Sequence, residues 1–337
     1  MKKVVLKGPV DHKPRASDFV LVDAELPAIR PDELQIRVLY ISLDPYVGSR
    51  LRGRHMGEPA PEPWREAIPG AIIGEVVDGR VPGFERGCMV QTMSGGWSEF
   101  VAVKAGSCRR VDADHVAPSA YLGVLGMPGL TAWAGMTRLA RVGPDDTVLI
   151  DAAAGAVGGS AGQIARIHGA RRVVGIAGGP EKCRVATERY GFDACIDYRA
   201  DGWRDALADA LGDGLTVFFE NVSAEMAMLA LSHARPYARG VLCGLVDAYH
   251  NETPSGHAIN AGAIIGKRAQ LCGLVVYDFY PHWDDYIREA TAWVTAGRLR
   301  LEEDRACGLA AAPGLFERLM DGQNVGKAIV SLTGPED

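Results

Sequence analysis

The sequence predicts an α/β protein with a parallel, doubly wound sheet beside a smaller β-rich region. Three observations support this class. Apolar strand-like runs alternate with helix-like segments through the middle of the 337-residue chain. The first third instead holds short strand-like runs separated by Gly and Pro. The length itself is typical of about two domains.

The alternating region begins after a helix predicted at residues 131–140, which Gly143-Pro144 ends. Short apolar runs bounded by turn residues then predict a series of strands, and longer segments between them have a helical pattern. The predicted strands are 147–150, 172–176, 194–196, 215–220, 240–245 and 270–276. The predicted helices are 157–168, 180–190, 203–211, 224–234 and 281–296.

The first third is predicted to form a small barrel, because its short strands are evenly spaced and bounded by turn signals. The predicted strands there are 35–43, 71–77, 88–93 and 98–103, separated by Pro69-Gly70, Pro82-Gly83 and Gly95-Gly96. The tail has a strand-like end at 328–332, which is expected to return to this first region.

Charge and cysteine content exclude several classes of function. The chain has 36 Lys plus Arg against 42 Asp plus Glu, a net charge of −6 with no basic stripe, which argues against a nucleic-acid partner. It has no apolar run long enough for a signal peptide or a membrane span, so a cytoplasmic protein is expected. The seven cysteines lack C-x-x-C spacing and fit reduced thiols.

The motif at 148–165 carries the strongest functional signal, because a buried strand there runs through a small-residue turn into a helix. Gly155 allows the backbone to approach a pyrophosphate, and Gly158 allows the helix to pack closely on the strand. The helix N-terminus, with Ala156 and Val157, then turns its N–H groups to the anion. Ala153 occupies the first glycine position of the G-x-G-x-x-G pattern. A dinucleotide site is predicted, and a turn without a ligand is the alternative.

The end of the following strand favours NADPH over NADH. Sites for NAD place an acid there to hold the ribose 2′-hydroxyl, whereas this chain reads Ile176-Ala-Gly178. A 2′-phosphate is therefore not repelled, and Lys182 in the next helix turn supplies a positive charge, although Glu181 is adjacent. A solvated surface lysine is the other interpretation of Lys182.

These residues resemble the medium-chain dehydrogenase/reductase superfamily, and within it the zinc-independent leukotriene B4 dehydrogenase, prostaglandin reductase and curcumin reductase group. The resemblance covers nearly the whole chain. Its motifs are Ser42-Leu-Asp-Pro-Tyr46, Gly96-Trp-Ser-Glu-Phe100, Gly126-Met-Pro-Gly-Leu-Thr-Ala132, Ala152-Ala-Ala-Gly-Ala-Val-Gly158, Gly175-Ile-Ala-Gly-Gly-Pro-Glu-Lys182 and Asn324-Val-Gly-Lys327.

The resemblance implies a GroES-like barrel domain of residues 1–123 and 299–337, with a Rossmann NADPH-binding domain of residues 124–298 between the two segments. It implies NADPH-dependent reduction of the carbon–carbon double bond of α,β-unsaturated ketones or aldehydes, in a homodimer. An NADPH-dependent quinone oxidoreductase and a non-catalytic NADPH-binding sensor remain alternatives.

Carried over by motif, the loop from Gly155 to Gly158 holds the pyrophosphate, Gly178 and Lys182 lie at the 2′-phosphate, and Tyr198 packs near the adenosine half. The ribose would be bonded by Asn221. The nicotinamide half would be lined by Cys243, Gly244, Leu245, Tyr249, Leu274, Val275 and Val276, and reached from the tail by Asn324.

Two departures concern metal and nucleophilic chemistry. Zinc relatives carry Gly-His-Glu where this chain reads Gly70-Ala-Ile-Ile-Gly-Glu75, and the cysteines of a structural zinc lobe are missing, so no metal is expected. Ser160 fits G-x-S-x-G as letters, but it follows the phosphate loop inside a helix, so a packing role is predicted. The family's usual Met-Arg-Gly after the Asp-Pro-Tyr motif is Val47-Gly-Ser49 here.

Two tyrosines are the candidate catalytic groups. Tyr249 follows a predicted strand at the nicotinamide end, where its phenol would bond the substrate carbonyl or the ribose, and Tyr46 belongs to the barrel. An aromatic wall is the alternative for both. Residues 50–64 are irregular and rich in Gly and Pro, and a mobile lid is one interpretation of that stretch.

Overall fold

The computed structural model describes residues 1–244 and 258–333. These residues form two compact units. The first unit holds Met1–Leu122 together with 303–333, and the second holds 123–244 together with 258–302.

The first unit is a mixed β structure. Its elements are β1 (Lys2–Leu6), β2 (Phe19–Asp23), β3 (Glu33–Ser42), α1 (Tyr46–Leu51), β4 (Ile72–Asp78), β5 (Met89–Thr92), β6 (Phe100–Lys104), β7 (Cys108–Arg110), β14 (Glu303–Cys307), α9 (Ala312–Met320) and β15 (Lys327–Ser331). The main sheet runs β14-β15-β3-β4-β5-β7, and β6 also pairs with β3. Strands β1 and β2 form a separate antiparallel pair.

The tail is part of this sheet, since β15 runs antiparallel to β3 with Ile329 opposite Ser42. Behind the sheet, the buried ring of Trp97 packs 5.4 Å from Phe19 and 5.3 Å from Phe316 of α9. The first and last parts of the chain therefore share one core.

The second unit is a parallel sheet with helices. Its elements are α2 (Met127–Trp133), β8 (Thr147–Ile150), α3 (Ala156–Ile167), β9 (Arg172–Ala177), α4 (Pro180–Arg184), β10 (Ala194–Asp197), α5 (Trp203–Leu211), β11 (Leu215–Glu220), α6 (Ala224–Ser232), β12 (Ala234–Leu242), α7 (Ala261–Lys267), β13 (Gln270–Gly273) and α8 (Trp283–Thr295). The strand order is β10-β9-β8-β11-β12-β13, all parallel. Counted from β8 this is the order 3-2-1-4-5-6 of a doubly wound sheet, and the predicted doubly wound, parallel architecture is thereby confirmed.

Three predicted boundaries were wrong for local reasons. The helix predicted at 131–140 begins at Met127, because Gly126 is its N-cap and Pro128 occupies the first turn, and it continues as a π-helical turn over Ala134–Leu139. The strand predicted at 240–245 begins at Ala234. Its polar start with Pro236 is tolerated because the register against β11 shifts there. The strand predicted at 270–276 ends at Gly273.

A helix that crosses a bilayer needs about 20 apolar residues. Among the described residues, no helix has the length and apolar character that this requires.

Candidate dinucleotide site

The turn between β8 and α3 has the shape of a phosphate-binding loop. Gly155 is the N-cap of α3, and the first backbone bond of the helix runs from the N–H of Gly159 to the carbonyl of Gly155. The N–H groups of residues 156–158 are therefore helix-end donors directed away from the helix. A Cβ at Gly158 would overlap the carbonyl oxygen of Ala152, so helix and loop pack closely only with glycine at this position.

Alanines take the place of glycine earlier in the same loop. Ala152 adopts a left-handed backbone with φ of 45°, a conformation that strains a residue with a Cβ. Ala153 is buried, and a Cβ at Gly175 of β9 would lie 2.6 Å from its methyl group. A glycine in β9 thus accommodates the methyl group at the first position of the G-x-G-x-x-G pattern.

The loop after β9 consists of two glycines and carries no acid of its own. Gly178 and Gly179 join the strand to α4, and Gly179 has φ of 101°. The ring of Tyr198 covers Gly178 so closely that a Cβ there would lie 2.8 Å from the phenol oxygen. Asp197, at the end of β10, accepts a hydrogen bond from the N–H of Gly179 at 2.8 Å. Strand β10 therefore fixes the conformation of this loop.

Basic side chains flank the same loop from two elements. Lys182 lies in the first turns of α4. Arg199 follows β10, and its Nη1 lies 4.0 Å from the position that a Cβ on Gly179 would take. Its backbone N–H donates to Asp197 at 3.0 Å. Lys182 was predicted from the sequence, whereas Arg199 was missed because only the end of β9 was inspected.

Asn221 lies where the strand order of the sheet reverses, since β11 and β8 are adjacent there. Its backbone N–H and its Nδ2 both donate to Asp151 Oδ1, at 2.8 and 3.1 Å. Nδ2 also faces the carbonyl of Asp151 at 3.3 Å. The amide is thus oriented with its nitrogen on Asp151, at the start of the phosphate loop.

Two buried carboxyl groups meet beneath this site. Asp151 directly follows β8 and Glu220 ends β11, and the two side chains lie beside each other at one small cavity. Burial is the main cause that raises the pKa of Glu220 to about 10, and the charge of Asp151 adds to it. Burial also raises the pKa of Asp151. Neither carboxyl was identified from the sequence.

The segments after β12 and β13 hold the remaining candidate residues of this unit. Cys243 and Gly244 both donate backbone hydrogen bonds to the carbonyl of Glu220, at 2.9 and 3.3 Å. Burial raises the pKa of Cys243 to about 12, so its thiol is a poor nucleophile. After β13, Leu274 is buried, whereas Val275 is 39% exposed and Val276 begins a 3₁₀ turn. Leu245 and Tyr249 lie outside the described residues.

In the first unit, Tyr46 begins α1, and its ring lies 4.9 Å from that of His55. Burial lowers the pKa of His55. The irregular stretch 50–64 has internal contacts, because Arg50 forms an ion pair with Glu58 and the N–H of Trp64 donates to Leu6 at 2.9 Å. The interpretation of this stretch as a lid stays a prediction.

Lys327, at the end of the Asn324-Val-Gly-Lys327 motif, is hydrogen-bonded to the segment that holds the Asp-Pro-Tyr motif. Lys327 is 2% exposed and donates to the carbonyl of Leu43 at 2.6 Å and to Asp44 at 3.0 Å. Asn324 donates to Gly326 at 2.8 Å, which closes the turn before β15. The predicted contact of Asn324 with a cofactor stays a prediction.

Two other sequence-based interpretations concern metal and nucleophile. In residues 1–244 and 258–333, no group of three or more His, Cys, Asp or Glu side chains is placed to hold a metal ion. Ser160 is fully buried inside α3 and donates to the carbonyl of Ala156 at 2.7 Å. This position within a helix gives it the packing role predicted for it.

Comparison with known proteins assigns the family. Residues 156–295 match the model described as zinc-binding dehydrogenase, and residues 2–111 match the N-terminal domain of oxidoreductase. The chain is 33% identical to the NADPH-dependent curcumin reductase of Escherichia coli K12 over 99% of this chain and 98% of that protein. It is 32% identical to the NADP⁺-dependent 2-alkenal reductase of Nicotiana tabacum over 98% and 97%.

Among solved structures, CurA from Vibrio vulnificus in complex with NADPH superposes with a TM-score of 0.91 at 32% identity, covering 99% of this chain and 100% of that one. The chain therefore belongs to the medium-chain dehydrogenase/reductase superfamily, in the zinc-independent group of curcumin, alkenal and prostaglandin reductases. The fold class and the family predicted from the sequence are thereby confirmed.

Proposed function

We propose that this protein is an NADPH-dependent reductase of the carbon–carbon double bond of α,β-unsaturated ketones or aldehydes. The observation that carries the proposal is the acid-free loop at Gly178 and Gly179, flanked by Lys182 and Arg199, next to a phosphate loop at a helix N-terminus. Relatives at about one-third identity over the whole chain are named as NADPH-dependent curcumin and alkenal reductases.

The residues present fit the dinucleotide. The N–H groups of Ala156, Val157 and Gly158 would bind the pyrophosphate at the N-terminus of α3. Lys182 and Arg199 would bind the 2′-phosphate, since guanidinium and ammonium groups pair with phosphate oxygens. The exposed face of Tyr198 would cover the adenosine, and the amide oxygen of Asn221 would accept from a ribose hydroxyl. The nicotinamide half of the cofactor would be lined by the remaining candidates, namely Cys243, Gly244, Leu245, Leu274, Val275, Val276 and Asn324.

Bound NADPH would supply a hydride from its nicotinamide to the β-carbon of the substrate. The substrate carbonyl oxygen then gains negative charge, which hydrogen-bond donors must stabilise. We propose the phenols of Tyr249 and Tyr46 as these donors, with Tyr249 or water supplying the proton for the α-carbon. The half-buried thiol of Cys243 takes no part, because its raised pKa keeps it protonated at neutral pH.

The decisive experiment follows NADPH oxidation with a panel of small enones and enals, beside saturated aldehydes, ketones and quinones of matched size. Saturated products from the enones, with no turnover of the saturated carbonyls, are expected. Turnover of quinones alone, with semiquinone detected by spin resonance, would replace the proposal with quinone reduction. Tight NADPH binding without turnover of any acceptor would indicate a sensor.

The cofactor preference is tested by removing the charges beside Gly179. K182A and R199A are each expected to weaken NADPH binding by about tenfold, because each removes a charge-assisted bond to the 2′-phosphate, and to leave NADH binding nearly unchanged. R288A, which removes an exposed arginine from α8, is the matched control. Equal losses for NADPH and NADH would contradict the assignment of these residues to the 2′-phosphate.

We also propose a cytoplasmic homodimer. The seven cysteines are free thiols, as a reducing compartment allows. Strand β13 ends the described sheet, and the neighbouring side chains of Tyr237 and Ile265 are 71% and 73% exposed. An exposed sheet edge with apolar neighbours is suited to pairing with a second copy. Light scattering at several concentrations measures the mass, and a monomer throughout would contradict the dimer.

A further inference from the structure

Two buried carboxyl groups, Asp151 and Glu220, lie where the strand order reverses, and each has one oxygen without a hydrogen-bond partner in the described residues. Asp151 is 4% exposed and Glu220 is 2% exposed. One oxygen of each is well supplied: Asp151 Oδ1 accepts from the backbone and side chain of Asn221. Glu220 Oε1 accepts from the N–H groups of Val222 and Ser223 at 2.7 and 2.6 Å.

The other oxygen of each group, Asp151 Oδ2 and Glu220 Oε2, is buried without a hydrogen-bond donor among the described residues. The two side chains nevertheless lie beside each other at one small cavity. Two carboxylates side by side, each with an unpartnered oxygen among apolar side chains, would repel strongly. One proton between Oδ2 and Oε2 removes the repulsion and gives both oxygens a partner.

Within the described part of the chain, the surroundings offer no other counter-charge to the pair. The ionisable group packed against it is the thiol of Cys243, itself neutral at physiological pH because burial raises its pKa. The other side chains that line the small cavity around the pair are apolar, namely Leu149, Ile176, Phe218, Phe219, Met226 and Ala230. These described groups therefore supply no positive charge that could offset two carboxylates.

The remaining contacts of Asp151 connect the pair to the ligand side. The backbone N–H and the Nδ2 of Asn221 both donate hydrogen bonds to Asp151 Oδ1. With its Nδ2 donating to Asp151, the Oδ1 of Asn221 lies on the other side of the amide group. The orientation of this amide is assigned by its acceptors, because its nitrogen, and not its oxygen, can face a carboxylate.

We propose that Asp151 and Glu220 share a single proton and act as a positioning pair, which holds the amide of Asn221 so that its oxygen accepts from a ribose hydroxyl of the dinucleotide. The positioning half rests on the proposed function, whereas the shared proton stands on the geometry alone. A pair with one negative charge also repels the pyrophosphate at the adjoining loop less than a pair with two.

The shared proton is tested by infrared difference spectroscopy of the full-length protein at pH 7. A carbonyl stretch of a protonated carboxyl is expected in the wild type and lost in D151N, because the introduced amide donates to an ionised Glu220 instead. D146N is the matched control. Asp146 is also a buried acid, next to β8, but it is paired with Arg239, so its replacement should leave the band intact. A wild-type spectrum without the band would overturn the shared proton.

The positioning role is tested by NADPH titration of D151L, N221A and the double variant. D151L is expected to weaken binding by about tenfold, because it frees the amide of Asn221, and D151N by less, because it keeps the acceptor. In the double variant the two losses of NADPH affinity should not multiply, since both changes remove the same interaction between Asp151 and Asn221. Multiplying losses would overturn the positioning role. If the wild type does not bind NADPH, both the positioning role and the proposed function are overturned. The infrared band still tests whether Asp151 and Glu220 share a proton.

Discussion

Each unit of this protein buries a pair of ionisable side chains, and the two pairs solve the problem of burial differently. In the first unit, Lys327 lies against Asp44, and opposite charges neutralise each other. In the second unit, Asp151 lies against Glu220, and like groups require a proton. Both pairs are almost fully removed from water.

The difference shows what a buried pair contributes in each setting. The Lys327 ammonium is satisfied on three sides, by the carbonyls of Leu43 and Ala328 and by Asp44, and it joins two distant parts of the chain. The carboxyl pair instead joins two neighbouring strand ends beneath a ligand loop. The first pair is an element of structure, whereas the second is a protonated element of the candidate site.

The largest expected effect is from breaking the pair of opposite charges. K327M should lower the free energy of unfolding by roughly 3–5 kcal/mol, because it leaves Asp44 buried without a counter-charge. Urea unfolding followed by circular dichroism measures it. R288A, which breaks an exposed pair with Asp285, is the control and should change stability by less than about 1 kcal/mol. A loss for K327M as small as that of the control would show that the pair is dispensable.

The second effect is an opposite pH dependence of the two pairs. Glu220 binds its proton more tightly in the folded state, with a pKa raised from 4.5 to about 10, so stability falls as pH rises through that window. Burial lowers the pKa of Lys327 from 10.5, so the folded state binds fewer protons and stability rises with pH just below 10.5.

Urea midpoints between pH 5 and pH 10 separate these contributions, since one proton is worth up to about 1.4 kcal/mol per pH unit. D151N should reduce the fall of stability with pH, and K327M should remove the rise at the alkaline end. If D151N keeps the slope of the wild type, the carboxyl pair does not hold the extra proton.

The smallest expected effect is from replacing the carboxyl group of Glu220 by an amide, which carries its own hydrogen-bond donor. E220Q should change the free energy of unfolding at pH 7 by less than about 1 kcal/mol, because the glutamine side chain keeps the acceptor for Val222 and Ser223 and donates to Asp151. E220A removes that acceptor and should cost about 1–3 kcal/mol. Equal losses in E220Q and E220A would mean that the contact with Asp151 contributes nothing.

The parts of the fold that sequence predicted well are those with strong local signals. The apolar run at 147–150 and the small-residue turn up to Gly155 located β8, the loop and the start of α3 to within a residue. Strand β14 was missed because Glu303–Cys307 is polar, as edge strands often are. The early part of β12 was missed because Pro236 argues against a strand unless the register is irregular.

The candidate site was predicted only as far as its motifs reach along the chain. Gly155, Gly158, Lys182 and Asn221 stand in recognisable local patterns. Asp151 and Glu220 are 69 positions apart, and they meet because Ile150 of β8 is in register with Phe219 of β11. Arg199 reaches the loop after β9 because Asp197 anchors both segments. Such proximity depends on sheet register, which single-sequence patterns do not specify.

The position of β15 beside β3 has a consequence for how the chain folds during synthesis. The sheet of the first unit needs residues 327–331, which leave the ribosome after the whole second unit has been made. The described residues of the second unit lie between 123 and 302, and apart from the pair of β8 and β11 its strands pair with the next strand along the chain. Contacts between residues distant in sequence form slowly, so the second unit is expected to fold first. Until β15 has been synthesised, the edge of β3 that it pairs with stays unpaired and accessible to chaperones.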